Sequence, residues 1–284
     1  IRKQFNLPAF DRALRLIHYP PNIAWATAAR KRFAFEEIFS IQLHRLRMRK
    51  DLEETRTCVI PSGNALEDIE AVLSFPLTRS QRRAAEEILA DTARSFPMAR
   101  LLEGDVGSGK TLVAIIASLA AARAGFQVAY LAPTEILARQ HFTEFCERLR
   151  SFRISIGLIT ASECKTFPSK LRPREPTHIA QSQLLRWVRD GKTSVLIGTH
   201  ALLEEQVAFK NLALAVIDEQ HRFGVTQRSR LTRGKETPHL LSMKATPIPR
   251  TLALTLYGDL DISVLDELPP GRAKITTKIV SPGE

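Results

Sequence analysis

The chain has 284 residues, of which 44% are hydrophobic and 25% charged, so it is long enough for one large or two modest globular domains. No apolar run approaches the ~20 residues of a membrane span, and the three cysteines are too widely spaced to favour a disulfide framework or a zinc site, which together predict a cytoplasmic protein without membrane contact. The formal net charge of +11 at pH 7 favours a polyanionic partner, because lysines and arginines that bind phosphates release counterions.

The N-terminal residues 1–74 are predicted to be helical. Apolar residues recur at helical spacing within 26–54, which predicts one apolar face and an opposite, strongly basic face around residues 45–50. The basic face is either the solvated side of a docked helix or a DNA contact. Prolines 20 and 21 end any earlier helix, and the stretch 61–63 predicts a loop. The apolar positions are Phe33, Ile38, Ile41, Leu43, Leu46 and Met48.

From residue 75 to residue 270, short apolar segments alternate with helical ones. The apolar segments are ARLLEG, QVAYLAP, ISIGLIT, SVLIGTH, LAVIDE and HLLSMKATP, and the helical ones include GKTLVAIIASLAAARAG and ILARQHFTEFCERLRS. Near-continuous apolar strands separated by helices predict an α/β fold, a parallel sheet with helices on both faces. Ligands of such sheets bind at the carboxyl ends of the strands. The Pro-rich, polar stretch 166–183 interrupts the alternation and is predicted to be a surface insertion.

The segment GDVGSGKT, residues 104–111, fits the phosphate-loop pattern G-x-x-x-x-G-K-[ST], and it stands between a predicted strand and a predicted helix. Its glycines permit a tight turn whose backbone N–H groups face phosphates, and the helix that follows adds its positive dipole end. Lys110 can reach the β- and γ-phosphates of ATP, and the Thr111 hydroxyl can bind Mg²⁺. The predicted phosphate-binding residues are Gly104, Asp105, Val106, Gly107, Ser108, Gly109, Lys110 and Thr111.

The segment LALAVIDEQHRFGV places two acids at the end of an apolar strand. A carboxylate near a core needs a cation or a hydrogen-bond donor, and Mg²⁺ bound to a triphosphate is such a cation. Asp218 is therefore predicted to bind Mg²⁺, and Glu219 to orient or deprotonate the attacking water. Together with Lys110 these two acids are the predicted catalytic residues.

Five further short segments resemble motifs of the superfamily 2 helicases. The pair Gln220 and His221, and Thr246 in the segment ATP, resemble elements that couple ATP hydrolysis to movement on nucleic acid. FPLTRSQ resembles the motif whose glutamine, here Gln81, contacts the adenine. APTEILARQ and GTHALL resemble segments that contact the nucleic-acid backbone, which makes three residues candidate DNA contacts: Thr134, Arg139 and Thr199.

The resemblance is more specific than this superfamily. IDEQHRFGV, followed by ATPIPRTLALTLYGDLDISVLDELPPGR, resembles the RecG family of branched-DNA helicases, as do ALRLIHYPP and ARKRFAFEEIF upstream. The resemblance covers residues 13 to 278 and implies a monomer that uses ATP and Mg²⁺ to move along double-stranded DNA and remodel stalled forks and Holliday junctions. It also implies that residues 1–74 link a wedge domain to the motor, that 75–270 form the first RecA-like lobe, and that 271–284 begin the connection to a second lobe.

The wedge domain and the second lobe are absent from this sequence, so we expect a fragment of a longer protein. Without the arginine finger that the second lobe supplies, worth roughly 10³–10⁵ in rate in GTPases, the isolated chain should bind MgATP weakly and hydrolyse it very slowly. Two features depart from the family: Lys244 stands where a small Thr is more common, and the 166–183 insertion is longer than usual.

Three alternative functions stay open on the sequence. The chain could be the motor of a translocase like the transcription-repair coupling factor, although that family usually has Glu-Gln where this chain has Gln220 and His221. It could be a non-motor P-loop ATPase, or a DNA-binding module whose nucleotide site is vestigial. Arg139 could equally be a surface residue unrelated to DNA.

Overall fold

The computed structural model describes residues 2–169, 175–204, 206–218, 236–245 and 260–267. The chain divides into two compact units, Ile1–Glu54 with Ile248–Leu260, and Thr55–Pro247 with Asp261–Glu284. Residues 55–74, which the sequence grouped with the N-terminal segment, therefore belong to the larger unit. The reason is packing, because Leu66 and Ile69 are buried in the hydrophobic core of that unit.

The smaller unit contains helices α1, Phe10–His18, and α2, Ile23–Glu53. α1 ends at His18, two residues before Pro20 and Pro21. Pro cannot continue a helix, and it biases the residue before it toward extended backbone. Asn22 caps α2, its side-chain oxygen accepting a hydrogen bond from the Trp25 N–H at 3.2 Å. Ala13 and Ala29 are buried where the two helices pack. Within the described parts of the chain, no helix is long and apolar enough to cross a membrane.

The predicted helix around residues 26–54 is confirmed, but its predicted apolar face is wrong. The six apolar positions are spread around the helix axis, because successive residues of an α-helix are rotated by about 100°. Several of them are well exposed, Leu46 at 61% and Ile38 at 43%. In α2, all of whose residues the structure describes, only Ala29 is buried.

The described part of the larger unit contains nine strands: β1 Ala99–Gly104, β2 Gln127–Leu131, β3 Ile156–Ile159, β4 Cys164–Phe167, β5 Thr177–His178, β6 Val195–Gly198, β7 Leu212–Asp218, β8 His239–Lys244 and β9 Asp261–Leu265. They form one sheet with the order β5-β4-β3-β6-β2-β7-β8-β1-β9. Among these strands every pair is parallel except β3–β4 and β4–β5. The helices are α3 Ala65–Val72, α4 Arg79–Thr92, α5 Lys110–Arg123, α6 Glu135–Arg148 and α7 Gln181–Arg189, with short 3-10 helices at Arg150–Phe152 and His200–Leu203.

Both faces of the sheet are covered, as the alternation of segments predicted. Successive residues of a strand point to opposite faces. In β2, Tyr130 packs into the core cluster that includes α3 to α6, whereas Ala129 and Leu131 pack into the cluster that includes α7. Helix α5 lies deep in the structure, since all residues from Leu112 to Ala121 are buried. The predicted α/β, RecA-like parallel sheet with helices on both faces and a helical N-terminal segment is confirmed.

The stretch 166–183 is more than a surface insertion. Its first residues, Thr166 and Phe167, are buried in β4, which pairs antiparallel with β3 and extends the sheet. Its last residues begin α7, and residues 170–174 lie outside the described part of the chain. Proline and charge counts favoured a loop here, but the prolines of this stretch follow β4, and β4 itself, CKTF, lies between β3 and β5 in the sheet.

Candidate nucleotide-binding site

The phosphate loop connects the end of β1 to the start of α5 at the carboxyl edge of the sheet. Gly107 and Gly109 have φ angles of +82° and +89°, a left-handed conformation that glycine adopts without steric cost. Lys110 folds back over the loop, and its Nζ donates hydrogen bonds to the Gly104 and Asp105 carbonyl oxygens at 2.7 and 3.0 Å. The loop therefore carries a cation and the amino end of a buried helix at one place, which suits it to bind an anion.

Gln81 joins helix α4 to the phosphate loop. At the start of α4 it forms a reciprocal capping box with Thr78: the Thr78 N–H donates to Gln81 Oε1 at 3.0 Å, and the Gln81 N–H donates to Thr78 Oγ1 at 3.2 Å. Gln81 Nε2 also donates to the Ser108 carbonyl oxygen at 2.7 Å. A Cβ atom on Gly109 would lie 2.3 Å from Gln81 Nε2, so the contact between this side chain and the loop requires glycine there.

A cavity of about 310 Å³ opens between the phosphate loop, α4 and α6. Residues of the phosphate loop line one part of the cavity, and the Phe75 ring lines another. The Arg148 guanidinium lies 5.5 Å from the centroid of the Phe75 ring. An aromatic face paired with a guanidinium can hold a planar base by stacking. The lining residues are Phe75, Gln81, Gly107, Gly109, Lys110, Thr111, Leu112, Glu144 and Arg148.

Two of these lining residues, Glu144 and Arg148, were missed by the sequence motifs. They are four residues apart on α6 and so share one face of that helix. Burial raises the pKa of Glu144, and His141 and Arg148 partly offset that rise. The only sequence feature that links Glu144 to Arg148 is their four-residue spacing. It follows the segment APTEILARQ, which resembles a motif that contacts DNA and not one that binds nucleotide.

The carboxyl end of β7 supplies the candidate metal ligand. Asp218 is 9% exposed, and its Oδ2 accepts a hydrogen bond from His141 Nε2 at 2.9 Å. The hydroxyl of Tyr130 lies 3.3 Å from His141 Nδ1, and the pKa of Tyr130 is raised well above its usual range by burial and then by the nearby Asp218. Tyr130 and His141 were also missed by the sequence motifs.

Mg²⁺ fits this donor set. It prefers oxygen ligands and is usually held by one or two carboxylates together with substrate phosphates. The Asp218 carboxylate and the Thr111 hydroxyl supply oxygens of this kind, and the described ranges hold no cluster of three or more His, Cys, Asp or Glu side chains that would form a separate metal cage. Nucleotide phosphates would therefore have to complete the coordination.

Lys244, which departs from the family pattern, lies at the end of β8 opposite Glu103 of β1 in the parallel register. Burial raises the pKa of Glu103, and the positive charge of Lys244 opposes that rise. The two residues therefore place opposite charges side by side on neighbouring strands, immediately before the phosphate loop.

The candidate DNA contacts lie on neighbouring strand ends. Thr134 and Thr199 follow β2 and β6, which pair in the sheet. Thr134 caps α6 by accepting a hydrogen bond from the Leu137 N–H at 3.3 Å. Arg139 is 45% exposed and is held by the Glu163 carboxylate at 2.5 Å and the Ser162 hydroxyl at 2.7 Å, so part of its charge is already neutralised.

Four predicted site residues lie outside the described part of the chain. They are Glu219, Gln220, His221 and Thr246. Their proposed roles in water activation and coupling stay predictions.

The chain is similar to several known proteins in sequence and in fold. A family profile described as DEAD/DEAH box helicase matches residues 78–255. The ATP-dependent DNA helicase RecG of Aquifex aeolicus is 44% identical in an alignment of 289 positions that covers 98% of this chain and 34% of the relative. The RecG of Synechocystis is 43% identical in an alignment that covers 100% of this chain and 33% of the relative. A structure of RecG bound to a three-way DNA junction superposes with a TM-score of 0.79 at 39% identity, covering 96% of this chain and 35% of that one. The chain thus spans about a third of the length of the curated relatives it matches.

Proposed function

The chain belongs to the DEAD/DEAH box helicase family, and from that premise we propose that it is the ATP-binding lobe of a motor that remodels branched DNA. Its similarity to RecG helicases along nearly its whole length supports this proposal, as does the DNA junction bound to one of those relatives. Family membership removes the non-motor P-loop ATPase from the alternatives. The motor would couple ATP hydrolysis to movement along duplex DNA at stalled forks and Holliday junctions.

The observation that carries the proposal is the meeting of three separate segments around one cavity. The segment FPLTRSQ with Phe75 and Gln81, the phosphate loop, and Arg148 of α6 all line it, although they come from different parts of the sequence. In the proposed complex the adenine lies against Phe75 and Arg148, and the phosphates lie along the loop N–H groups. Lys110 leaves the carbonyl oxygens that it now contacts and moves onto the β- and γ-phosphates.

Asp218 and Thr111 would hold Mg²⁺ beside the phosphates. When bound, the metal neutralises the negative charge that develops on the β- and γ-phosphate oxygens. Glu219, next to Asp218 in the sequence, would orient the attacking water and accept its proton. Three further residues would couple the presence or absence of the γ-phosphate to DNA binding: Gln220, His221 and Thr246. The candidate DNA contacts are Thr134, Arg139 and Thr199.

The site as proposed needs a partner lobe of the same protein. A second RecA-like lobe would close over the nucleotide and supply an arginine to the transition state, and a wedge domain would engage the junction. Arginines of this kind contribute roughly 10³–10⁵ to the rate of GTPases. The proposal therefore assigns nucleotide binding to this chain and efficient turnover to the longer, monomeric, cytoplasmic protein.

Replacing Lys110 by alanine tests the proposal. We expect Lys110→Ala to abolish binding of a fluorescent ATP analogue while binding of forked DNA stays nearly unchanged, because Lys110 lies in the phosphate loop and is not one of the candidate DNA contacts. Lys192→Ala is the matched control. Lys192 is exposed and pairs with Asp190 in the turn before β6, at the amino ends of the parallel strands and therefore away from the phosphate loop. Unchanged nucleotide binding in Lys110→Ala, or DNA binding that collapses in a folded variant, contradicts the proposal.

A further inference from the structure

We infer that Tyr130 and His141 are positioning residues that orient the candidate Mg²⁺ ligand Asp218 through one buried hydrogen-bonded bridge. This inference rests on the proposed function, since it concerns the metal side of the same site. It assigns a role to two side chains that no helicase motif of the sequence singled out.

The bridge runs through three side chains in sequence. His141 Nε2 lies 2.9 Å from Asp218 Oδ2, and His141 Nδ1 lies 3.3 Å from the Tyr130 hydroxyl. Both Tyr130 and His141 are buried, with exposures of 0% and 8%. The chain of contacts therefore crosses from β2 through α6 to β7 without using a backbone group.

The donors and acceptors of this bridge fit one arrangement when His141 is neutral. A carboxylate only accepts, so His141 Nε2 carries the proton and donates to Asp218. His141 Nδ1 must then accept, and the Tyr130 hydroxyl donates to it. This arrangement leaves the second Asp218 oxygen available to a metal.

Packing alone does not explain these polar groups. The Tyr130 ring packs edge-on against Phe145 with centroids 5.2 Å apart, and a phenylalanine would fill the same space. A buried hydroxyl or imidazole is costly unless it is hydrogen-bonded, so the polar atoms need a reason to be there. One end of the bridge is Asp218, the strand-end acid that the sequence independently indicates as a metal ligand.

The bridge also joins the metal side of the site to helix α6. His141 lies seven residues after Thr134, which caps this helix, and two residues after Arg139. Because an α-helix rises 1.5 Å per residue, His141 lies about 10 Å along the axis from the candidate DNA contact at the cap. A displacement of α6 would carry His141 with it and so reorient the Asp218 carboxylate.

The Mg²⁺ dependence of nucleotide binding tests the bridge. Partners that orient metal ligands typically change metal affinity by 10- to 100-fold when they are removed. We therefore expect His141→Ala to raise the Mg²⁺ concentration for half-maximal binding of a fluorescent ATP analogue by at least about 10-fold. Affinity for the same analogue without Mg²⁺ should stay unchanged, because Lys110 and the loop are intact. Tyr130→Phe should shift the Mg²⁺ dependence in the same direction, and His141→Gln, whose amide can donate to Asp218, should restore most of it.

Phe145→Leu is the control for packing. It removes the ring against Tyr130 but no polar atom, so it should lower the free energy of unfolding and leave the Mg²⁺ dependence unchanged. The bridge is overturned if folded His141→Ala and Tyr130→Phe variants keep the parent's Mg²⁺ dependence, or if Phe145→Leu shifts it equally. A parent chain that binds no nucleotide with or without Mg²⁺ overturns the proposed function, and the bridge with it.

Discussion

Replacing Gly109 by alanine should damage the nucleotide site more than it damages the fold. The φ angle of Gly109 is +89°, and a left-handed backbone costs an L-residue roughly 1–2 kcal/mol. The new Cβ would also lie 2.3 Å from Gln81 Nε2, so the Gln81 side chain must move and lose its 2.7 Å hydrogen bond to the Ser108 carbonyl oxygen. A buried partner left unsatisfied costs about 1–3 kcal/mol.

Gly125→Ala separates the two contributions. Gly125 has a similar φ of +82°, but a Cβ there would meet no atom within 4 Å, so this variant should lose only the conformational part. We expect Gly109→Ala to be less stable than Gly125→Ala by about 1–3 kcal/mol in urea unfolding followed by circular dichroism. It should also bind a fluorescent ATP analogue at least ten times more weakly, while Gly125→Ala binds as the parent does. Equal stabilities together with parental nucleotide binding by Gly109→Ala would refute the reasoning.

Three further changes have definite expected results. Gln127→Leu should lower the free energy of unfolding by about 3 kcal/mol or more, since the Gln127 side chain makes four hydrogen bonds to backbone groups, two of them buried and two part-buried, whereas Gln206→Leu at an exposed position should change it by less than about 0.5 kcal/mol. Burial lowers the pKa of His239 below 6.5, its value in the unfolded chain, so the unfolded state binds more protons at pH values between the folded and unfolded pKa. The contribution of His239 to the free energy of unfolding should therefore be complete above pH 6.5 and decrease as the pH falls toward the folded pKa. Urea unfolding at several pH values should show this slope in the parent and a flatter one in His239→Gln. Arg148→Ala should weaken ATP and ADP binding equally, by about 2- to 10-fold in a fluorescence titration, because it removes a contact to the base and none to the γ-phosphate; loss of ATP binding alone would contradict its proposed place.

The sequence predicted those features whose residues are adjacent in the chain. The phosphate loop is one contiguous segment with a required strand before it and a helix after it, and both are present as β1 and α5. The sheet was predictable because buried parallel strands are nearly continuous apolar runs, of which LALAVID and QVAYL are clear examples. Local pattern and tertiary structure agree in these segments.

The features that the sequence could not supply depend on distant residues. His141 and Asp218 are 77 positions apart, and their contact follows from where α6 and β7 lie in the sheet rather than from either local pattern. The long helix α2 shows the opposite failure, because its apolar residues recur at near-helical intervals that spread them around the axis instead of onto one face. The strand β4 was hidden by the prolines and charges that follow it.

ATP hydrolysis by this chain, with and without forked DNA, beside the same chain extended through a second RecA-like lobe, tests the central claim most directly. The account predicts that the short chain binds MgATP but turns it over very slowly, and that only the extended chain hydrolyses ATP rapidly and responds to DNA. Lys110→Ala in the extended chain gives the background. Equal hydrolysis by the short and extended chains would contradict the account, because the site would then be complete within one lobe.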